Sequence, residues 1–129
     1  MLKVLVVDDK KTFRDAIIFK LKKDGFTTFQ AENGEEALTV SKVGKPDLIM
    51  LDLQMPVMDG FETLSKLRKS GDWGKKVKVI ILTNFQLDNK ITEKMVALKP
   101  MYYMVKTDWS LEEISTKIKE LIGDPQLGM

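Results

Sequence analysis

The sequence predicts an α/β protein, an open, doubly wound parallel sheet of five strands flanked by five helices. Two observations carry that expectation. Val4-Leu5-Val6-Val7, Leu48-Ile49-Met50-Leu51 and Val79-Ile80-Ile81-Leu82 are short apolar runs rich in branched side chains, the pattern of strands covered on both faces. Helical periodicity fills the chain between such runs, so that strand and helix alternate five times.

The elements follow in order. The first run leads to a helix whose stripe is Phe13, Ala16, Ile17 and Leu21, closed by Asp24-Gly25, with glycine in its usual place past a helix end. Residues 26–31 are less apolar and suit an edge strand. Residues 35–42 form a shorter, weaker helix before the Leu48 run. Phe61, Leu64 and Leu67 mark a third helix, and Val79-Ile80-Ile81-Leu82 a fourth strand. Leu87, Ile91, Met95 and Leu98 mark a fourth helix, stopped by Pro100. Residues 101–105 are apolar and aromatic, as a fifth strand requires. Leu111, Ile114, Ile118 and Leu121 form the clearest stripe, opened by Ser110-Leu111-Glu112-Glu113 at the spacing of a capping box. Residues 1–123 read as one domain and 124–129 as a short, loose C-terminal tail. There is no internal repeat, low-complexity segment or interdomain linker.

Composition narrows the chemistry. A hydrophobic share of 43% beside 31% charged residues supplies a core without cross-links. Cysteine and histidine are both absent, which excludes disulfides, thiolate or histidine catalysis, and cysteine or histidine metal sites. Carboxylates, hydroxyls, amides, lysine and arginine remain, groups suited to hard cations and phosphoryl chemistry. A net charge of +2, from 21 basic and 19 acidic residues, gives no sign of a nucleic-acid or membrane binder. The pairs Lys10-Lys11, Lys22-Lys23 and Lys75-Lys76 read as solvated faces. No stretch approaches the ~20 apolar residues of a membrane span, and the N-terminal run is too short for a signal peptide. A cytoplasmic location is expected.

In a doubly wound sheet, ligands bind beyond the carboxyl ends of the strands. Polar residues follow the apolar runs there: Asp8 and Asp9 after the first, Asp52 after the third, Thr83 after the fourth and Lys106 after the fifth. Each alone reads as a turn, a cap or a solvated group. Together they place three carboxylates, one hydroxyl and one ammonium at one edge. Clustered carboxylates repel unless a cation compensates, and a divalent ion plus a lysine would do so. Magnesium takes oxygen ligands, and such a set suits phosphoryl transfer, in which a carboxylate itself can accept the group.

These residues resemble the receiver domain of two-component response regulators, including the small single-domain chemotaxis type. The likeness covers roughly residues 2–122. It is most specific in Val6-Val7-Asp8-Asp9, in the stretch 46–60 around Asp52, and in Val105-Lys106. The resemblance implies a flavodoxin-like sheet of strand order 2-1-3-4-5, the order of the chemotaxis protein among general examples of this architecture. It implies that Asp52 is the phosphoacceptor and that magnesium is the cofactor. Asp9 is then the direct metal ligand, Asp8 assists, and the backbone carbonyl of Gln54 adds a further ligand. Lys106 pairs with the phosphoryl oxygens, and Thr83 is the switch hydroxyl. Tyr103, three residues before Lys106, is the aromatic that follows Thr83; packing at an edge strand is the competing reading and Tyr102 beside it points to the opposite face, but position against Lys106 favours Tyr103. Met55-Pro56 and Asp59-Gly60 belong to the loop that turns from the site into the third helix. The implied partners are a histidine kinase or phosphotransfer protein and a downstream protein target. Neither nucleic acid nor membrane is implied for this domain, and its expected assembly is a monomer or weak dimer. Such a domain promotes only its own phosphorylation and dephosphorylation.

The sequence departs from the family pattern at three places. Asn84 stands where a small residue is usual, Thr107 replaces the customary proline after the lysine, and Lys99-Pro100 replaces a glycine motif at the end of the fourth helix. None removes a reactive group, but they bear on phosphoryl lifetime and the output face. Gln54 and Phe85 flank the path expected for an attacking water. Three other functions compete. A degenerate receiver acting only as a binding module is opposed by the intact set Asp8, Asp9, Asp52, Thr83 and Lys106. A phosphatase of the haloacid-dehalogenase kind would carry a second aspartate at Gln54. A nucleotide-binding protein would need more than Gly44-Lys45-Pro46, which lies before a strand and not after one.

Overall fold

A computed structural model of the chain describes residues 1–84 and 88–127. Its strands are β1 (Lys3–Val7), β2 (Thr27–Ala31), β3 (Leu48–Leu51), β4 (Lys78–Thr83) and β5 (Tyr102–Val105). They form one parallel sheet in the order β2-β1-β3-β4-β5. Six α-helices are present among the described residues: α1 (Lys11–Lys23), α2 (Gly34–Gly44), α3 (Gly60–Arg68), α4 (Asp72–Lys76), α5 (Asn89–Leu98) and α6 (Leu111–Ile122). The strand order reverses between β1 and β3, so their carboxyl ends flank the crevice in which this architecture binds ligands.

Continuous apolar runs become central strands because each face meets a helical layer. Val4, Val6, Leu48, Met50, Ile80 and Leu82 point toward α1 and α6, where they meet Ile17, Leu21, Ile114 and Ile118. Leu5, Val7, Ile49, Leu51, Val79 and Ile81 point to the other face and meet Ala37, Leu64, Leu67 and Met95. Full burial of such side chains contributes about 1.5–3 kcal/mol apiece. Edge strand β2 is only partly covered, as its mixed sequence anticipates.

Side chains fix the helix starts. Asn33 accepts the Glu36 amide hydrogen at 2.8 Å, and Asp59 accepts that of Glu62 at 2.9 Å. The capping box of α6 is complete: Glu113 N–H donates to Ser110 Oγ at 3.1 Å, and Ser110 N–H donates to Glu113 Oε1 at 2.9 Å. At the other end of α5, Lys99 takes the left-handed conformation (φ 52°) usual for glycine and donates its N–H to Met95 O at 3.0 Å. The lysine's own backbone turn therefore closes this helix, and Pro100 only bars its continuation.

The expectation of five helices is corrected to six by α4. Its five residues are too few to show a period. It forms because Gly71, at φ 125°, redirects the chain, and because Gly74 packs so closely that a Cβ there would lie 2.2 Å from Leu67 O. Arg68 then gathers the segment, donating to Gly74 O at 3.0 Å, Val77 O at 2.7 Å, and Leu98 O and Lys99 O at 3.0 Å each. Burial lowers the pKa of this guanidinium.

Other differences are smaller. The buried stripe of α1 is Arg14, Ile17, Ile18 and Leu21, rotated from the expected one and headed by a charged residue. Phe26 lies in the core just before β2. The expected stripe residue Leu87, like Phe85, lies outside the described residues. Pro125–Leu127 form a 3-10 turn, and Gln126 Nε2 donates to Lys23 O at 3.3 Å, so this part of the tail rests on the end of α1. Among the described residues, no helix is long and apolar enough to cross a membrane.

Candidate functional site

The parallel ladder delivers four groups to one edge. Asp52 N–H donates to Val7 O at 3.0 Å and Asp8 N–H to Ala31 O at 3.1 Å, so pairing continues one residue past β3 and β1. Thr83, the last residue of β4, stands opposite Val105, the last of β5, and Lys106 follows directly. Asp8 (2% exposed), Asp52 (3%) and Thr83 (0%) are buried, whereas Asp9 is exposed.

A lysine closes the cluster. Lys106 Nζ lies 2.6 Å from Asp8 Oδ2 and 3.1 Å from Asp52 Oδ2, with its side chain only 8% exposed. The remaining carboxylate oxygens also have local partners: Asp8 Oδ1 accepts the Lys10 amide hydrogen at 2.9 Å, and Asp52 Oδ1 that of Gln54 at 3.1 Å. Carboxylate oxygens of Asp8, Asp9 and Asp52 all lie within 4.8 Å of one another. Such an all-oxygen donor set, with one member open to solvent, fits a hard divalent cation.

Electrostatics follow from burial. Asp8 has a raised pKa because burial penalises its charge, and the hydrogen bonds from Lys106 and the Lys10 amide offset this only in part. Burial also works against the charge on Lys106, but its hydrogen bond to Asp8 and the attraction of Asp52 and Asp8 prevail and raise its pKa. Two buried negative charges thus share one positive charge.

The turn from Asp52 into α3 is held by close approach. A Cβ on Gly60 would lie 2.3 Å from Asp52 O and 2.7 Å from Leu53 Cα, so only glycine lets the helix start there. Val57 in the same loop has φ 70° and is exposed.

The structure brings together Asp8, Asp9, Asp52 and Lys106, with Thr83 at the adjacent strand end. Tyr103 is half-buried on the α5 face, its pKa raised by burial and then by the charges of Asp52 and Asp88. Tyr102 faces the opposite layer, where it meets the Trp109 ring edge-on at 6.2 Å. Thr107 lies in a 3-10 turn (Lys106–Asp108), and no cis peptide bond occurs among the described residues. Gln54 and Asn84 are exposed.

Sequence reasoning missed Arg14. Its Nη1 donates to the backbone carbonyl of Asp8 at 2.7 Å and its Nε to Gln30 Oε1 at 3.1 Å. The signal was available, since Arg14, Ile17, Ile18 and Leu21 have the i, i+3, i+4, i+7 spacing of one buried helix face.

Fold and site together define a doubly wound α/β domain with an acidic cluster and a lysine at the carboxyl edge of its sheet. Comparison with known families matches the response regulator receiver domain over residues 4–119, and the chain belongs to that family. It is 31% identical over 121 residues to sporulation initiation phosphotransferase F of Bacillus subtilis, covering 93% of each chain. It is equally identical to the alkaline phosphatase synthesis transcriptional regulatory protein PhoP of the same organism but spans 48% of that protein. Among solved structures, chemotaxis protein CheY4 of Vibrio cholerae superposes with a TM-score of 0.84 at 28% identity, over 93% of this chain and 98% of that one. The chain is thus a receiver domain of two-component signalling.

Proposed function

We propose that this receiver takes a phosphoryl group on Asp52 in a magnesium-dependent reaction, with a histidine kinase or a phosphotransfer protein as donor. One observation carries the reading: Lys106 bridges Asp8 and Asp52 at the edge where three carboxylates converge. In the transfer, a bond forms between an Asp52 carboxylate oxygen and phosphorus as the donor's phosphorus–nitrogen bond breaks and the imidazole leaves. Lys106 is placed to follow the incoming phosphoryl oxygens, and Thr83 to donate its hydroxyl to them. Asp9, Asp8, Asp52 and the Gln54 carbonyl would hold magnesium, which supplies neutralising charge for those oxygens when bound.

Phosphorylation adds roughly two negative charges beside Thr83 and Lys106. Their recruitment shifts Tyr103 and the surface of α5, β5 and α6, which then presents a changed face to a protein target. Residues 1–123 form the signalling unit, and 124–129 are its tail. We place its action in the cytoplasm, as a monomer or weak dimer, with no reaction beyond its own phosphorylation and dephosphorylation.

Incubation with acetyl phosphate, with and without magnesium, tests this by intact mass beside Asp52→Asn. The expected result is a magnesium-dependent adduct in the wild type that the variant lacks. An adduct that persists in the variant puts the acceptor elsewhere. No adduct at any magnesium concentration, in folded protein followed from the earliest times, indicates a degenerate receiver.

A further inference from the structure

Phe13 lies on the first turn of α1, directly after the Asp8-Asp9 loop, half-buried against the core layer shared by α1 and α6. Its ring does more than pack. Lys106 Nζ lies 4.7 Å from the ring centroid, while the same nitrogen contacts Asp8 and Asp52. The ammonium therefore has two carboxylates and one aromatic face as neighbours.

These neighbours act differently. Carboxylate oxygens bind N–H groups in fixed directions and compete with any other acceptor. A ring face attracts the cation through its quadrupole without claiming a particular N–H, and the attraction grows when water is excluded. At 8% side-chain exposure, Lys106 is in that water-poor setting. An aliphatic residue at the same place would offer packing alone.

We propose that Phe13 is a positioning residue for phosphoryl transfer: its ring keeps the Lys106 ammonium beside Asp52 while the lysine exchanges carboxylate oxygens for phosphoryl oxygens. The inference rests on the phosphoacceptor reading above. With acetyl phosphate as donor, the Asp52 oxygen–phosphorus bond forms, the donor's phosphorus–oxygen bond breaks, and acetate leaves with the electron pair. Lys106 stays protonated, and only its set of acceptors changes. The ring spans that exchange because it attracts the ammonium through its quadrupole and not through a hydrogen bond.

The test uses the full chain with Phe13→Leu, which keeps apolar bulk, and Phe13→Tyr, which keeps the ring. In metal-free protein, NMR reads the Lys106 ε-methylene protons. An upfield ring-current shift is expected in the wild type and Phe13→Tyr, and its loss in Phe13→Leu. With saturating magnesium and acetyl phosphate, phosphoryl uptake in Phe13→Leu is expected to slow about three- to tenfold, the scale of a partly desolvated cation–ring contact. Phe13→Tyr retains the wild-type rate, and urea midpoints verify that all three are folded. Equal rates in the wild type and Phe13→Leu overturn the inference, as does a tyrosine variant as slow as the leucine one, or an ε-methylene signal indifferent to the ring. A wild type that takes no phosphoryl group defeats the phosphoacceptor reading itself. A wild type that does, with three equal rates, removes only the role of Phe13.

Discussion

Arg14 reaches from the buried face of α1 to the backbone carbonyl of Asp8, 2.7 Å from its Nη1, and so anchors the loop that carries both aspartates. A charged residue in a core-facing position here serves the geometry of a neighbouring functional turn. Arg14→Ala would leave that buried carbonyl without its partner, and a loss of about 1–3 kcal/mol in urea unfolding is expected. Magnesium affinity, read by calorimetry, should fall at the same time, because the Asp8-Asp9 turn loses its tether.

Lys106→Met tests the shared charge. Removing the ammonium leaves Asp8 facing Asp52 in a buried site, and the Asp8 pKa, already raised by burial, must rise further. A raised acid pKa gives stability that is present at low pH and lost as pH rises through the folded-state value. Urea unfolding of metal-free protein should therefore show a loss of about 3–5 kcal/mol at pH 7.5 and a smaller one at pH 5. In the wild type the lysine's own raised pKa acts in another window. Its contribution is intact below the unfolded lysine value, about 10.4, and disappears only as pH rises through the higher folded one.

Asp24 joins α1 to α6 on the far side of the molecule. It accepts from Ser115 Oγ and pairs with Lys20 at 3.3 Å and Lys119 at 3.5 Å. Burial pushes its pKa upward, but Ser115 and the two lysines outweigh that and hold it below the usual carboxylate value. A depressed acid pKa stabilises above the unfolded value, about 3.9, and the benefit is lost as pH falls through the folded one. Asp24→Asn should cost about 1–3 kcal/mol at pH 7. In thermal melts the gap between variant and wild type should close below pH ~3.9, as the wild-type carboxyl protonates.

Arg68→Lys tests the clamp on α4. One ammonium cannot reproduce the planar fork that reaches Leu98 O, Gly74 O, Val77 O and Lys99 O. A destabilisation of about 1–3 kcal/mol is expected. Hydrogen exchange should quicken at the Lys99 amide, which closes α5, before it quickens in β3.

The central strands were legible because burial on both faces removes polar residues and leaves runs such as Val79-Ile80-Ile81-Leu82. The Ser110–Glu113 box was legible because its two hydrogen bonds demand those residue types three apart. Helix α4 was not, since Gly71 and close packing at Gly74 make it, and neither leaves a periodic trace. Within the site, strand-end position singled out Asp8, Asp9, Asp52 and Lys106, which the structure brings together, and Thr83 at the adjacent strand end. The different burial of Asp8 and Asp9 was not legible, because nothing in the chain marks Asp8 as buried against Lys106 and Asp9 as open to solvent.

The two tryptophans sit on different segments of the fold. Trp73 is in α4, near the amino-terminal ends of β3 and β4, under the ammonium of Lys45 at 5.5 Å. Trp109 follows the turn that begins at Lys106 and abuts Tyr102. The molecule thus carries one indole on α4 and a second against β5 and α6. With Trp73 replaced by phenylalanine, the remaining emission comes from Trp109 alone, so changes at the β5 and α6 surface can be followed in solution without a dye.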